Sequence, residues 1–393
     1  MRSNIRFYRL LGATLLAIGA SGTAPAQISP SAITQDMQWR LVGPFRGGRT
    51  RAITGVPGQS HTFLAGVVNG GVWKTDDDGR TWNPIFDSQP TQSIGAIAVA
   101  PSDPKVIYVA SGEGLHRPDL SVGNGVYRSN DGGQTWMHVG LDDSQQIPSI
   151  AVDPSDAKRV YAAVLGHPYG PSAQRGLYRT VDGGARWSKV LDQGENTGAS
   201  FVRIDPFDAR TLYAGFWNAR SGPWEDKTMF NGPHGGLFKS TDGGDHWRPL
   251  ADGLPQGLSQ LDVAVAPSAR GRLYATVATS SNPAAQGGAA PTTGVYRSDD
   301  GGEHWHIATS DPRPGLRIGG GDLSILVVDP KNADVVYSAS IVTMKSTDGG
   351  SHWVSFKGGP GGDDYQAIWI SPDDSQHIAL VGDQGSLITV NGG

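Results

Sequence analysis

The chain has 393 residues, a formal charge of −5, 56 glycines, 26 prolines, 11 tryptophans and no cysteine. Charged residues, at 18%, are too few for a coiled coil or a charged tail, so many tryptophans argue against disorder, and the small acidic excess gives no basic footprint for nucleic acid. The lack of cysteine excludes disulfides, thiolate zinc sites, iron–sulfur clusters and cysteine nucleophiles; no cofactor and no metal site is expected.

At the N-terminus, Arg2, Arg6 and Arg9 precede an apolar run, Leu10 to Ala20, followed by Ala24-Pro25-Ala26. That order reads as a secretory signal over residues 1–26, cut before Gln27. Residues 27–36 read as a linker. No other run approaches the roughly 20 apolar residues of a membrane helix, so the mature protein is expected in a bacterial periplasm or outside the cell, without a membrane span.

From residue 37 to 393 the chain repeats itself. An octet recurs: Ser or Thr, any residue, Asp, any residue, Gly, two residues, Trp. Its copies run Thr75 to Trp82, Ser129 to Trp136, Thr180 to Trp187, Ser240 to Trp247, Ser298 to Trp305 and Ser346 to Trp353; a seventh begins at Thr389. The octet aspartates are Asp77, Asp131, Asp182, Asp242, Asp300 and Asp348. Between octets, apolar runs of four to six residues, such as Ile94–Val99, Val106–Ala110 and Gly125–Arg128, keep the same phase and are bounded by Gly, Pro and Asp. Each unit therefore reads as four antiparallel strands, and seven such units as an all-β, seven-bladed β-propeller. Length alone suggests two or three domains; the repeats gather them into one. Gln38 to Gly43 resembles Thr135 to Gly140, so an N-terminal strand is expected to complete the last blade and remove its open edge.

The octet is a hairpin between third and fourth strands. Its glycines permit positive φ, its Asp accepts backbone N–H groups across the turn, and Trp82, Trp136, Trp187, Trp247, Trp305 and Trp353 pack between units. Six copies around a ring suit a structural role better than a catalytic one. An EF-hand loop fails because its first acceptor falls on Lys74.

These octets resemble Asp boxes, or BNR repeats, found in sialidases, two-propeller xyloglucanases, sortilin-type (VPS10) receptors and photosystem II assembly-factor propellers. Secreted bacterial sortilin-like and glycosyl-hydrolase-like proteins resemble the chain further in Trp39-Arg40-Leu41-Val42-Gly43-Pro44-Phe45-Arg46-Gly47-Gly48-Arg49 and Gly70-Gly71-Val72-Trp73-Lys74-Thr75. The resemblance covers residues 37 to 393 and specifies fold better than function.

Insertions at residues 111–124, 165–175, 217–234 and 279–293 all fall opposite the octets, and long loops on one face of a repeat array mark its binding face. Arg46, Arg49, Arg51, Asn69, Glu113, His116, Tyr169, Trp217, Arg220, Trp224, Asp322, Tyr365 and Asp383 are expected to line that mouth. The main reading is a binding module for a peptide, protein or glycan, similar to sortilin-type propellers, with the aromatic residues stacking and Arg46 and Arg49 pairing an anionic group. The alternative is a glycoside hydrolase on polysaccharide or sialoside, with Glu113, Asp364 and Asp383 as candidate carboxylates. Sialidase resemblance is thin, because Phe45-Arg46-Gly47-Gly48 keeps only half of a Phe/Tyr-Arg-Ile-Pro motif. Where xyloglucanases resemble Arg-Thr-Asp-x-Gly-Gly, this chain has Val67-Val68-Asn69-Gly70-Gly71, and an amide is no general base. A third reading is an assembly factor resembling the photosystem propellers.

Overall fold

The apolar runs are too short for helices, so their backbone groups must be satisfied between runs rather than within them. The computed structural model describes residues 48–115, 120–218, 235–279, 293–318, 322–357 and 364–393. It pairs the runs into seven antiparallel sheets, each strand beside its neighbour in the chain. The first blade is Thr50–Val56, Gln59–Val67, Gly71–Thr75 and Asn83–Pro84. The inner strands of the others are Ile94–Val99, Ser149–Asp153, Gly198–Asp205, Leu258–Val265, Ile325–Val328 and Tyr365–Ile370. This is a seven-bladed β-propeller, and its one helical turn among the described residues is a 3-10 turn at Arg313–Gly315. Six sheets have four described strands and the last has three. Residues 38–43, expected as its fourth strand, lie outside the described residues, as do the expected signal and linker.

Adjacent blades are joined by apolar clusters and by a repeated polar contact. A second-strand tyrosine donates to a carbonyl of the next blade: Tyr108 to Ala157 (2.8 Å), Tyr161 to Gly243 (2.9 Å), Tyr213 to Gly301 (3.2 Å) and Tyr274 to Ala333 (2.8 Å). Burial pushes the Tyr108 phenol up to about 12, so it remains a donor at any ordinary pH. The third-strand cations Arg179 and Lys239 reach the same Gly243 and Gly301 carbonyls, each at 2.8 Å. Between the seventh and first blades, the Trp369 ring lies over Gly55, where a β-carbon would come within 2.4 Å of it. Trp369 also meets Phe63 edge-on at 5.3 Å. Glycine at 55 is thus required by close approach.

The octet turn is held by one hydroxyl. Ser129 Oγ donates to Asp131 Oδ1 (2.7 Å) and accepts the Gly133 N–H (2.9 Å), while Asp131 Oδ1 accepts the Thr135 N–H (2.9 Å). The same pattern recurs at Thr75/Asp77, Thr180/Asp182, Ser240/Asp242, Ser298/Asp300 and Ser346/Asp348. Indole Nε1 of Trp136 and Trp187 donates to the previous blade, at Ile85 and Val139, both at 2.7 Å. Trp247, Trp305 and Trp353 instead donate within their own octets.

The inner strands carry a second regularity. Arg51, Gly95, Ser259 and Gln366 are skipped by the ladder one residue into the strand, and Ser200 two residues in. Such bulges re-aim side chains and cluster near sites.

Two outcomes follow. Ser129→Ala removes the acceptor of the buried Gly133 N–H, and we expect it to cost about 1–3 kcal/mol in urea unfolding. The backbone and side chain of Thr81 hold Asp77 down to about 2, the side chain and backbone of Thr135 do the same for Asp131, and the backbone N–H and ring of His352 for Asp348. Carboxylates depressed in the folded state contribute stability that is present above their unfolded value near 4 and lost as pH falls toward 2. Melting temperature should therefore drop steeply between pH 4 and 2, and less steeply in Asp131→Asn.

Candidate functional site

Arg49 lies just before the first inner strand and bridges two carboxylates from other blades. Its Nε donates to Asp383 Oδ1 at 2.8 Å and its Nη1 to Glu113 Oε1. Asp383 sits in the turn between the seventh blade's second and third strands, Ile378–Gly382 and Gly385–Thr389. Glu113 follows the second blade's second strand, Ile107–Ser111. Glu113 Oε2 accepts the Ser121 N–H (3.3 Å), and Ser121 Oγ accepts from Asn69 Nδ2 (2.7 Å). Asn69 reaches this position from a left-handed turn, φ 57°. One continuous network thus joins Asn69, Ser121, Glu113, Arg49 and Asp383 across three blades. Its two ends differ: the Glu113 side chain is 2% exposed and that of Asp383 33%. Burial opposes the charge on Arg49, but Asp383 and Glu113 outweigh it and hold the guanidinium above its ordinary value.

Beneath this network lies a cavity of about 60 Å³, lined on its polar side by Arg51, Asp262, Asp322 and Gln366 and on its apolar side by Leu165, Phe201 and Trp217. The bulges explain how two strand residues reach it: Arg51 and Gln366 stand outside their ladders. Arg51 Nη1 donates to the Gln366 carbonyl at 3.1 Å. Arg203 ties three blades at this level, through Asp262 (2.9 Å), the Val263 carbonyl (3.2 Å) and Ser149 Oγ (3.2 Å). Burial lowers the Arg51 guanidinium despite nearby Asp322 and Asp262, and burial raises the Asp262 carboxyl despite Arg203.

The opposite end of the channel differs chemically. There Pro206, Pro267, Pro330 and Pro372, each just past an inner strand, surround Trp369 and a space of about 400 Å³. The lining there is mainly apolar, with Arg203 as its one charged residue among those described, whereas Arg51, Asp262, Asp322 and Gln366 gather at the long-loop end.

Of the residues expected at the mouth, Arg49, Asn69, Glu113 and Asp383 meet in the upper network, and Arg51, Trp217 and Asp322 meet at the cavity below. Trp217 is 2% exposed and packs on Leu165, so its ring lines the cavity instead of offering an open platform. Tyr365 is equally buried, in an apolar cluster with Tyr337 and Ile368. Strand alternation turns its ring inward to the blade interface. Tyr169 is 40% exposed, beside His167. Asp364, at φ 51°, opens the seventh inner strand. Arg46, His116, Arg220 and Trp224 lie outside the described residues. Sequence reasoning passed over Arg203, Asp262 and Gln366. Their signal was present as polar residues inside otherwise apolar inner-strand runs. Among the described residues no group of His, Cys, Asp and Glu is arranged to hold a metal ion, and no helix is long and apolar enough to cross a membrane.

The Sortilin-Vps10 family model (Sortilin, neurotensin receptor 3) matches residues 70–214. A xyloglucanase of Acetivibrio thermocellus is 26% identical, covering 88% of this chain; the chain spans only 43% of that relative. The crystal structure of the GH74 xyloglucanase from Xanthomonas campestris superposes with a TM-score of 0.66 at 22% identity, over 90% of this chain and 54% of that one. The structure of YCF48 bound to D1 peptide gives a TM-score of 0.55 at 16% identity, over 88% of this chain and 93% of that one. The chain is a propeller with sortilin-like and glycosyl-hydrolase-like relatives.

The burial asymmetry of the upper network has a measurable consequence. Glu113→Ala takes one carboxylate from Arg49 and the acceptor from the Ser121 N–H. Discounted for the exposure of Arg49 and its remaining contact with Asp383, the expected cost is about 1–3 kcal/mol in urea unfolding. Asp383→Ala, at the solvent end, should cost about 0–1 kcal/mol. Equal costs would show that burial does not set the hierarchy.

Proposed function

We propose that the propeller is a glycan-directed, glycoside-hydrolase-like unit that engages a xyloglucan-type polysaccharide at its long-loop mouth. The observation that carries this reading is the likeness to a xyloglucanase across 88% of the chain. The site chemistry is compatible with it. Glu113 and Asp383 share one guanidinium, which keeps their carboxyl groups within the roughly 5–10 Å used by two-carboxylate glycoside hydrolysis. Asn69 stands where the xyloglucanase resemblance calls for a carboxylate, so any hydrolysis here rests on Glu113 and Asp383. Both carboxylates are engaged by the Arg49 guanidinium, whereas a general acid must offer a proton to its substrate. Catalysis therefore requires the ligand to draw Arg49 away from one carboxylate; without that step the mouth binds and does not cut. The octets, read as Asp boxes, serve the scaffold. The signal-like N-terminus supports a location outside the cytoplasm.

A second reading is a peptide-binding module. It is favoured by the likeness to the structure of YCF48 bound to D1 peptide, which is covered over 93% of its length.

Xyloglucan affinity electrophoresis and reducing-sugar release on the mature protein separate these readings. Retardation with sugar release, abolished in Glu113→Gln and Asp383→Asn, is expected of a hydrolase. Retardation without release leaves a glycan-binding module. No retardation, with capture of peptides on an array, overturns the glycan reading in favour of the second.

A further inference from the structure

Three buried polar atoms around the axial cavity have no hydrogen-bond partner: Arg51 Nε, Gln366 Nε2 and Asp262 Oδ2. Gln366 is 1% exposed and Asp262 9%, so bulk solvent does not satisfy them cheaply. The set contains two donors and one acceptor. A hydroxyl group offers the complement, one O–H donor and two lone pairs. The remaining wall, with Leu165, Phe201 and Trp217, suits a short hydrocarbon stem. Size narrows the choice. A cavity of about 60 Å³ has room for a few atoms of water size, at about 10–15 Å³ each, which admits a two-atom arm and excludes a pyranose ring. Gly114 and Leu115 also line it, directly after Glu113 in the chain, so it lies immediately under the upper network.

We propose that this axial cavity is a subsite for one hydroxymethyl arm of a hexose unit, held between Arg51, Gln366 and Asp262 while the sugar ring stays at the mouth. The inference rests on the glycan reading above and adds a selectivity to it: hexose chains bind better than pentose chains of the same linkage. The electrostatics agree, since burial disfavours charge on both Arg51 and Asp262, and a neutral hydroxyl hydrogen-bonds to both without adding charge.

Cellotetraose and xylotetraose test it, because both are β-1,4 chains and only the first carries hydroxymethyl arms. Calorimetric titration of the mature protein should give at least about tenfold tighter binding of cellotetraose, since a site built for a hydroxyl rejects the analogue that lacks it. Gln366→Leu, with its melting temperature unchanged, should erase that preference while leaving xylotetraose binding intact. If Gln366→Leu does not fold, Ser200→Val crowds the same cavity from the fourth blade and should act alike. Equal binding of the two sugars overturns the subsite and leaves the glycan reading standing. Binding of neither, with xyloglucan still retarding the protein, overturns the subsite alone; loss of xyloglucan retardation as well overturns the glycan reading.

Discussion

The hydroxyl that opens each octet is the contact on which the blades depend. Fourth strands are as short as Asn83–Pro84 and Met137–His138, with too few ladder bonds to hold themselves against the third strand. The Ser or Thr hydroxyl compensates by fixing the turn from inside, between an aspartate and a glycine amide four residues on. Where the seventh octet replaces Asp with Asn, Thr389 still donates to Asn391 Oδ1 at 2.7 Å and accepts the Gly393 N–H at 3.1 Å. The hydroxyl and its geometry, more than the carboxylate charge, are therefore the common element.

With the outer turns fixed, the ring is joined at two radii. Toward the rim, tyrosines and third-strand cations bind carbonyls of the following blade. Near the axis, Arg203 links three blades and Arg51 holds the seventh. Burying charge so close to the axis is unfavourable on its own, and the structure offsets it by setting Arg51 and Arg203 near Asp262 and Asp322. The result is a polar end beneath the long loops and an apolar, proline-rimmed end beside the octet turns.

The architecture was largely legible because its determinants are local. Octet spacing follows from turn chemistry, which a linear reading captures, and the candidate mouth followed from where the long insertions fall. Arg49, Glu113 and Asp383 were recognisable as loop charges, but their meeting depends on blade rotation, which no spacing encodes. Trp217 and Tyr365 were legible as large aromatics next to loops, while their burial is decided by packing across blades. Gln366 and Asp262 were hidden in runs that read as core: Gln366 stands outside its ladder at a bulge, while Asp262 is a polar residue still paired opposite Thr276.

Those bulges separate two demands usually tied together. At Arg51, Ser200 and Gln366 the residue outside the ladder faces the axial cavity, so its side chain can change without altering the pairing of its neighbours. Positions 51, 200 and 366, which line the axial cavity, are thus sites where that lining varies with little disturbance to the sheets, whereas Gly95 is held to glycine by the Ile147 and Gly112 carbonyls. The propeller carries, at its centre, three positions from three blades whose side chains can be rewritten while the sheets stay as they are.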